Sequence, residues 1–362
     1  MKPNDMPLIS VVIPNYNGAA YLAPCLLSLA RQSRSDFEVL VVDNGSSDNS
    51  EETVRRVAPG AVILRQDRNL GFAGAANAGV RAAAAGWIAV LNNDTEVSAE
   101  WMDQCAEAIS RHPDAAFFAC RILDFRQRDR IYSAGDCFLR AGIGYRRGQE
   151  QRDRPEYDAE SEVFSACGCA ALYRKSALGL VGGYEERLFA YMEDVELGLR
   201  LQAAGMRGYY LPAARVYHHG AATSGGEFSP LSVALRTRNS LLVLLKSVPA
   251  KTLLRCIPMV VLSQLFWLGR VIRHGRVFSY LRGLAGALIL APAMLRSRND
   301  LRRHWSPGVK ERLWSAITRS EAAARADFGT SASECPSLFL RLYFSLFRPV
   351  GSEGSPSARG PR

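Results

Sequence analysis

Six short motifs in this 362-residue chain set polar residues at spacings suited to chemistry. Tyr191-Met192-Glu193-Asp194-Val195-Glu196 places paired acids where a helix begins. A carboxylate of ordinary pKa is ionised at neutral pH and can accept a proton from an attacking hydroxyl. The same acids also suit a helix dipole, so type and spacing leave both readings open. Leu91-Asn92-Asn93-Asp94 closes an apolar run. A carboxylate there can hold Mg2+ or Mn2+ against a diphosphate, or the run can form an Asx turn. Val216-Tyr217-His218-His219-Gly220 contains two of the chain's 5 His, and neutral imidazole is a common metal ligand.

The other three motifs are suited to binding. Val42-Asp43-Asn44-Gly45-Ser46-Ser47-Asp48 ends an apolar run on Asp43, which can accept a hydrogen bond from a base or ribose. Asp48 and Ser50 read better as helix caps. Asn69-Leu70-Gly71-Phe72-Ala73-Gly74-Ala75-Ala76-Asn77 puts small residues at a helix start. Backbone N–H groups and the helix dipole there attract phosphate, although small residues also permit close packing. Val12-Ile13-Pro14-Asn15-Tyr16-Asn17-Gly18 ends a strand in a turn that can present small polar groups to a ligand.

The elements that must position these motifs alternate. Apolar strands are expected at 8–13, 37–43, 61–64 and 87–91, and helices at 21–31, 50–58 and 73–85. Nearly continuous apolar strands separated by helices define an α/β fold whose mostly parallel sheet is covered on both faces. Ligands in such sheets bind beyond the carboxyl ends of the strands, where the motifs fall. Residues 125–160, rich in Arg, Asp and Gly, are expected to form a mobile excursion beside the site.

Charge divides the chain. Residues 1–230 carry 24 Lys+Arg and 29 Asp+Glu, and residues 231–362 carry 21 and 6. The basic part suits an anionic partner, nucleic acid or anionic lipid. It has no recognised nucleic-acid motif and is interleaved with Leu rather than stacking aromatics, so an anionic membrane surface is expected and nucleic acid is not. Two apolar stretches, 256–268 and 283–295, are each about 13 residues where a span needs about 20. Pro258 and Pro292 interrupt them, so an in-plane amphipathic contact is expected. The expected division is a catalytic domain over 1–228, a basic amphipathic helical region over 229–350, and a disordered tail over 351–362. The 8 Cys hold no zinc or redox spacing and read as reduced thiols, and no N-terminal signal peptide is visible.

Taken in order, IPNYNG, VVDNGSSD, NLGFAGAAN, LNND, GYEERLFAYMEDVELGLRLQAAG and VYHHG resemble family 2 glycosyltransferases with the GT-A fold, over residues 8–225. Within that family the chain looks closest to bacterial rhamnosyltransferase-like enzymes of cell-surface polysaccharide assembly. The resemblance implies a nucleotide-sugar site. Pro14, Tyr16 and Asp43 would line the nucleoside pocket, Asn69, Gly74 and Asn77 would lie near diphosphate and ribose, and Asn15 and Asn93 belong to the same site. Asp94 ends the motif usually written D-x-D. Asn92 replaces its first carboxylate, and His218 matches a metal-ligating position of some relatives. The divalent cofactor, Mg2+ or Mn2+, is thus expected at Asp94 and His218. Asp194 matches the catalytic base, with Glu193 holding the acceptor or orienting Asp194. The implied reaction is inverting, single-sugar transfer, with dTDP-rhamnose as leading donor and a saccharide or polyprenyl-linked acceptor at the cytoplasmic face of the inner membrane. The chain has no Q-x-x-R-W pentapeptide of processive synthases and no G-x-G-T-R loop of nucleotidyltransferases. The alternative is a non-catalytic carbohydrate-binding or membrane-adaptor protein on a decayed transferase fold.

Overall fold

The computed structural model describes residues 6–220, 225–303, 308–327 and 337–347. The expected tail over 351–362 lies outside them. From the N-terminus, β1 (Ile9–Asn15), α1 (Ala19–Ala30), β2 (Phe37–Asp43), α2 (Ser50–Val57), β3 (Val62–Arg65), α3 (Gly71–Ala82) and β4 (Trp87–Leu91) alternate as expected. The chain continues through β5 (Thr95–Val97), α4 (Trp101–Arg111), β6 (Ala115–Asp124), β7 (Ile131–Ser133), β8 (Asp136–Leu139) and β9 (Ile143–Arg146). Next come β10 (Ser161–Glu162), β11 (Ala170–Arg174), α5 (Lys175–Val181), α6 (Glu193–Ala203) and β12 (Arg207–His218). Helices α7 (Pro230–Ser247), α8 (Ala250–Arg273), α9 (Val277–Arg303), α10 (Val309–Ala326) and α11 (Leu338–Leu346) complete the order.

The large sheet runs β10-β12-β6-β11-β4-β1-β2-β3. β1 pairs in parallel with β2 and β4, and β2 with β3, whereas β11 runs antiparallel between β4 and β6. Side chains of a strand alternate between faces. Ile9, Val11 and Ile13 accordingly join the core under α1 and α4, while Val12 joins the core under α3, α5 and α6. Asn15 lies in register with Asp43 at the carboxyl ends of β1 and β2, so the loops beyond them meet at one edge.

Two expectations are overturned. Residues 125–160 are not a loose excursion but contain the β8–β9 hairpin, with β8 buried along its whole length. Their polar side chains looked like loop composition because their partners lie far along the chain. Phe138 N–H donates to Ser320 Oγ at 2.7 Å, Arg140 Nε to Glu321 Oε2 at 2.5 Å, and Gly148 N–H to Asp327 Oδ2 at 2.6 Å. Arg121 pairs with both Asp153 and Asp158. Helix α10 thereby clamps the hairpin onto the domain.

The prolines also fail to interrupt the C-terminal helices. Pro258 lies within the 24-residue α8 and Pro292 within the 27-residue α9. Ala250–Arg273 and Val277–Asn299 are long and apolar enough to cross a membrane by length and composition. A proline removes one intrahelical hydrogen bond, a loss neighbouring helices can support.

α7 belongs to the body of the protein. Its Leu242, Val243 and Leu244 are buried with Leu199 of α6, Met294 of α9 and Ile317 of α10. Lys246 is buried between Glu185 at 2.7 Å and Glu196 at 2.9 Å, and Arg200 binds Glu196 through three hydrogen bonds. Burying such charges is costly, so each is matched by an opposite partner.

Candidate active site

The loops after β1, β2 and β4 are held together by their own polar side chains. Asn93 Nδ2 donates to Asn15 Oδ1 at 2.6 Å, both residues buried. Gly18 fits above them because a Cβ there would come within 2.0 Å of the Asn93 amide. Ser47 N–H donates to Asn17 Oδ1 at 2.8 Å, joining the first loop to the second. Asp43 is half-buried and accepts from Ser46 N–H at 3.1 Å, while Pro14 is half-buried beside it and Tyr16 is 40% exposed. Neither Asp48 nor Ser50 is the N-cap of α2, which is Asn49, but the Asp48 carboxylate ties two helix starts together. It accepts from Ala19 N–H at the start of α1 and from Ser50 N–H at the start of α2.

Part of the start of α3 is satisfied from within the protein. Asn69 Oδ1 accepts from Gly71 N–H, Asn44 Oδ1 accepts from Leu70 N–H, and Phe189 carbonyl accepts from Ala73 N–H. Three donors at this end are thus satisfied within the protein. Gly71 has φ of +74°, and a Cβ on it would lie 2.4 Å from the Phe189 carbonyl, so the glycine serves a close approach. Gly74 is buried one turn into the helix against Leu70. Asn77 uses its amide on the loop before α6: Nδ2 donates to Tyr184 O and Glu186 Oε1, and Oδ1 accepts from Tyr184 N–H. Asn77 and Gly74 thereby hold α3 in place, and the close packing that small residues permit is present here.

Asp94 and His218 meet as expected. Asp94 lies beyond β4 and His218 ends β12, and His219 N–H donates to the Asp94 carbonyl at 3.0 Å. Asp94 Oδ1 lies 3.1 Å from His218 Nε2, with each residue only 3% exposed. The Tyr132 ring packs edge-on against His218 at 4.4 Å. His218 Nδ1 is buried without a hydrogen-bond partner among the described residues. A carboxylate oxygen and an imidazole nitrogen at ligand spacing suit a divalent cation that keeps further positions for diphosphate oxygens.

The acids at α6 are presented by a strained turn. Phe189, Tyr191 and Met192 have φ of 66°, 68° and 71°, a region unfavourable for residues with a Cβ. Asn239 of α7 holds that turn: its Nδ2 lies 2.9, 2.8 and 2.7 Å from the carbonyls of Leu188, Ala190 and Tyr191. Arg238 adds hydrogen bonds to the Arg187 and Leu188 carbonyls. Asn239 and Arg238 were not singled out from the sequence.

Asp194 is half-buried and accepts from Gly168 N–H at 3.0 Å and its neighbour Val195 N–H at 2.7 Å. The Cys167-Gly168-Cys169 turn therefore orients the acid. Burial raises the Asp194 carboxyl from 3.8, opposed by those N–H groups and Arg146. Glu193 is more deeply buried, and its Oε2 lacks a partner among the described residues. Burial and then the Asp194 charge push its carboxyl well above the usual range, so Glu193 holds its proton more tightly than an ordinary glutamate. Asp136, at the start of β8, was not singled out from sequence. Its carboxylate, that of Asp194 and the Cys167 thiol lie within 4.8 Å of one another.

A mostly parallel sheet with an antiparallel strand inserted between β4 and β6, and polar loops at its carboxyl edge, define an α/β fold of the GT-A kind. The family model "Glycosyl transferase family 2" matches residues 10–181. The chain is 32% identical over 239 residues to the N-acetylglucosaminyl-diphospho-decaprenol L-rhamnosyltransferase of Mycobacterium tuberculosis, covering 60% of this chain and 78% of that one. It is 30% identical over 199 residues to a PGL/p-HBAD biosynthesis glycosyltransferase of Mycobacterium bovis, covering 54% and 69%. Its fold is similar to the crystal structure of GalNAc-T7 with UDP, GalNAc and Mn2+, with a TM-score of 0.54 at 16% identity, covering 66% of this chain. The chain spans 48% of that protein's length. The chain belongs to glycosyltransferase family 2, and it is a glycosyltransferase.

Proposed function

We propose that the protein is an inverting, non-processive transferase that moves one sugar from a nucleotide diphosphate donor to a hydroxyl of a lipid-linked acceptor. The observation that carries this reading is Asp194, delivered by a strained turn and aimed by two backbone N–H groups. In-line displacement at the anomeric carbon needs a base within reach of the acceptor hydroxyl and positive charge at the leaving diphosphate. Asp194 takes the hydroxyl proton as the new bond forms. Glu193, whose carboxyl burial and the Asp194 charge push upward, is suited to hold the acceptor or orient Asp194. Asp94 and His218 would hold Mg2+ or Mn2+, which supplies the charge that stabilises the leaving diphosphate. Tyr16 and Asp43 flank the nucleoside side, with Asn15 and Asn93 bracing the loops there. dTDP-rhamnose is the proposed donor, from the rhamnosyltransferase relative, whose name also supports a polyprenyl-diphosphate acceptor. Turnover of a dTDP-, UDP- and GDP-sugar panel with Mn2+ or Mg2+ tests this. One donor is expected to turn over with inversion, and retention of anomeric configuration would refute the mechanism.

The proposed division is a catalytic domain through residue 228 and a helical region after it, of which α7 and α10 pack on that domain and α8 and α9 attach the enzyme to the cytoplasmic face of the membrane. Support comes from the outer faces of α8 and α9. Leu254, Ile257, Val261, Leu265 and Ile272 line one, and Phe278, Leu281, Leu288, Ile289 and Leu295 the other, all exposed. Residues three or four apart share a helix face. Arg255, Arg270, Arg273 and Arg276 border the stripes, which suits anionic headgroups. An in-plane position is favoured over a span because the inner face of α9 packs on the body. Gly283 lies against Ala234 and Thr237 of α7, and the Ala293 carbonyl accepts from Arg187 at 3.1 Å. The expected result is sedimentation with anionic vesicles that survives high ionic strength, since screening weakens only the arginine contacts. Leu265→Asp with Ile289→Asp should release the protein, and unchanged binding by that variant would remove the stripes as the attachment surface.

A further inference from the structure

The acid group around Asp194 has a third member. Asp136 is buried, and its register partner across the β8–β9 hairpin is Arg146. Ser133 Oγ lies 2.9 Å from Asp136 Oδ1 and fixes one side of the carboxyl. The Asp136 and Asp194 carboxylates are within 4.8 Å of each other. Glu193, next to Asp194 in α6, is buried too, and its Oε2 has no hydrogen-bond partner among the described residues. Two anionic carboxylates at that spacing cannot both be ionised cheaply, and they titrate as a pair.

We propose that Asp136 is a positioning residue that keeps one proton within the pair and donates it as a hydrogen bond to anionic Asp194. The proposal rests on Asp194 being the base. Burial, and next the Asp194 charge, push the Asp136 carboxyl well above its usual range. The groups facing the pair are Arg146 of β9, Cys167 of the adjoining turn, Glu193 of α6, Cys137 of β8, and the phenols of Tyr173 and Tyr184. Arg146 is the cation among them and favours the one remaining negative charge. In the transfer step the acceptor O–H proton passes to Asp194 as the new glycosidic C–O bond forms and the bond to the leaving diphosphate breaks. Asp136 keeps its own proton throughout. The α10 clamp on the hairpin gives the C-terminal region a part in holding this pair.

The test combines two readouts on the full chain. Infrared spectra at neutral pH, taken as wild type minus variant, should show a protonated carboxyl band that Asp136→Asn removes and Glu193→Gln leaves partly in place. An Asp136→Asn band identical to wild type overturns the proposal. In kcat/KM profiles, Asp136→Asn retains a neutral donor and should keep the acid limb in place. Asp136→Ala removes the donor, so the limb should move to higher pH and lower the rate at the acid end about tenfold. Equal loss at every pH in both variants means a structural role only and overturns it. Loss of Mn2+ binding in Asp136→Asn, read by paramagnetic resonance, makes Asp136 a metal ligand and also overturns it. Turnover surviving Asp194→Asn refutes Asp194 as base, whereas the infrared band reports proton sharing independently.

Discussion

Asp194→Asn lowers kcat by about 10²–10⁴-fold while donor binding stays near wild type. The amide keeps the shape of the carboxyl and cannot accept the hydroxyl proton. The substitution also leaves the strained turn and its Asn239 contacts in place, so folding should be little affected. Wild-type kcat/KM should fall on the acid side as Asp194 takes up a proton. Because burial raises that carboxyl, the fall occurs above the 3.8 of an ordinary aspartate. Single-turnover kinetics with the preferred donor, alongside calorimetric donor binding, checks both parts. Wild-type turnover in the variant would remove Asp194 from the chemistry, and lost donor binding would mean that it holds substrate instead.

Asp94→Asn is expected to lower kcat/KM by roughly a hundredfold or more and to weaken Mn2+ binding. With Asn92 already standing in place of an acid, Asp94 is the sole carboxylate of the Asn92-Asn93-Asp94 run, and His218 is its buried partner. Neutralising it leaves the imidazole to hold a cation alone. Titrating activity with Mn2+ for both proteins separates the effects: a variant limited by metal affinity recovers at high Mn2+, whereas one limited by diphosphate stabilisation does not. An unchanged metal dependence would show that the cation, if used, is held elsewhere.

Much of the site was legible in the chain because its residues sit at strand ends. β1, β2 and β4 are read from apolar runs, and a parallel α/β sheet brings the loop after each strand to the same edge. Asp43 and Asp94 were placed that way, whereas Asp194 and His218 were singled out by the order of the family motifs. Asn69, Gly74 and Asn77 were located, and the sequence did not show that their side chains also have protein partners. A small-residue helix start looks alike whether it approaches phosphate or the Phe189 carbonyl, and only the distant loop decides. The two prolines misled for a similar reason, since a local rule for helix breaking takes no account of packing by neighbouring helices.

By itself, then, the sequence determined the alternating elements, the strand-end motifs and the family, because local periodicity and motif order carry that information. Tertiary structure alone decided the rest. It folded 136–146 of the polar 125–160 segment into a hairpin whose first strand is buried, with partners Ser320, Glu321 and Asp327 some 180 residues away. It set Phe189, Tyr191 and Met192 at positive φ, which no residue type there announces, and supplied Asn239 to hold them. It also brought Asp136 beside Asp194, because contacts between residues 58 positions apart are fixed by how the sheet and helices close on one another.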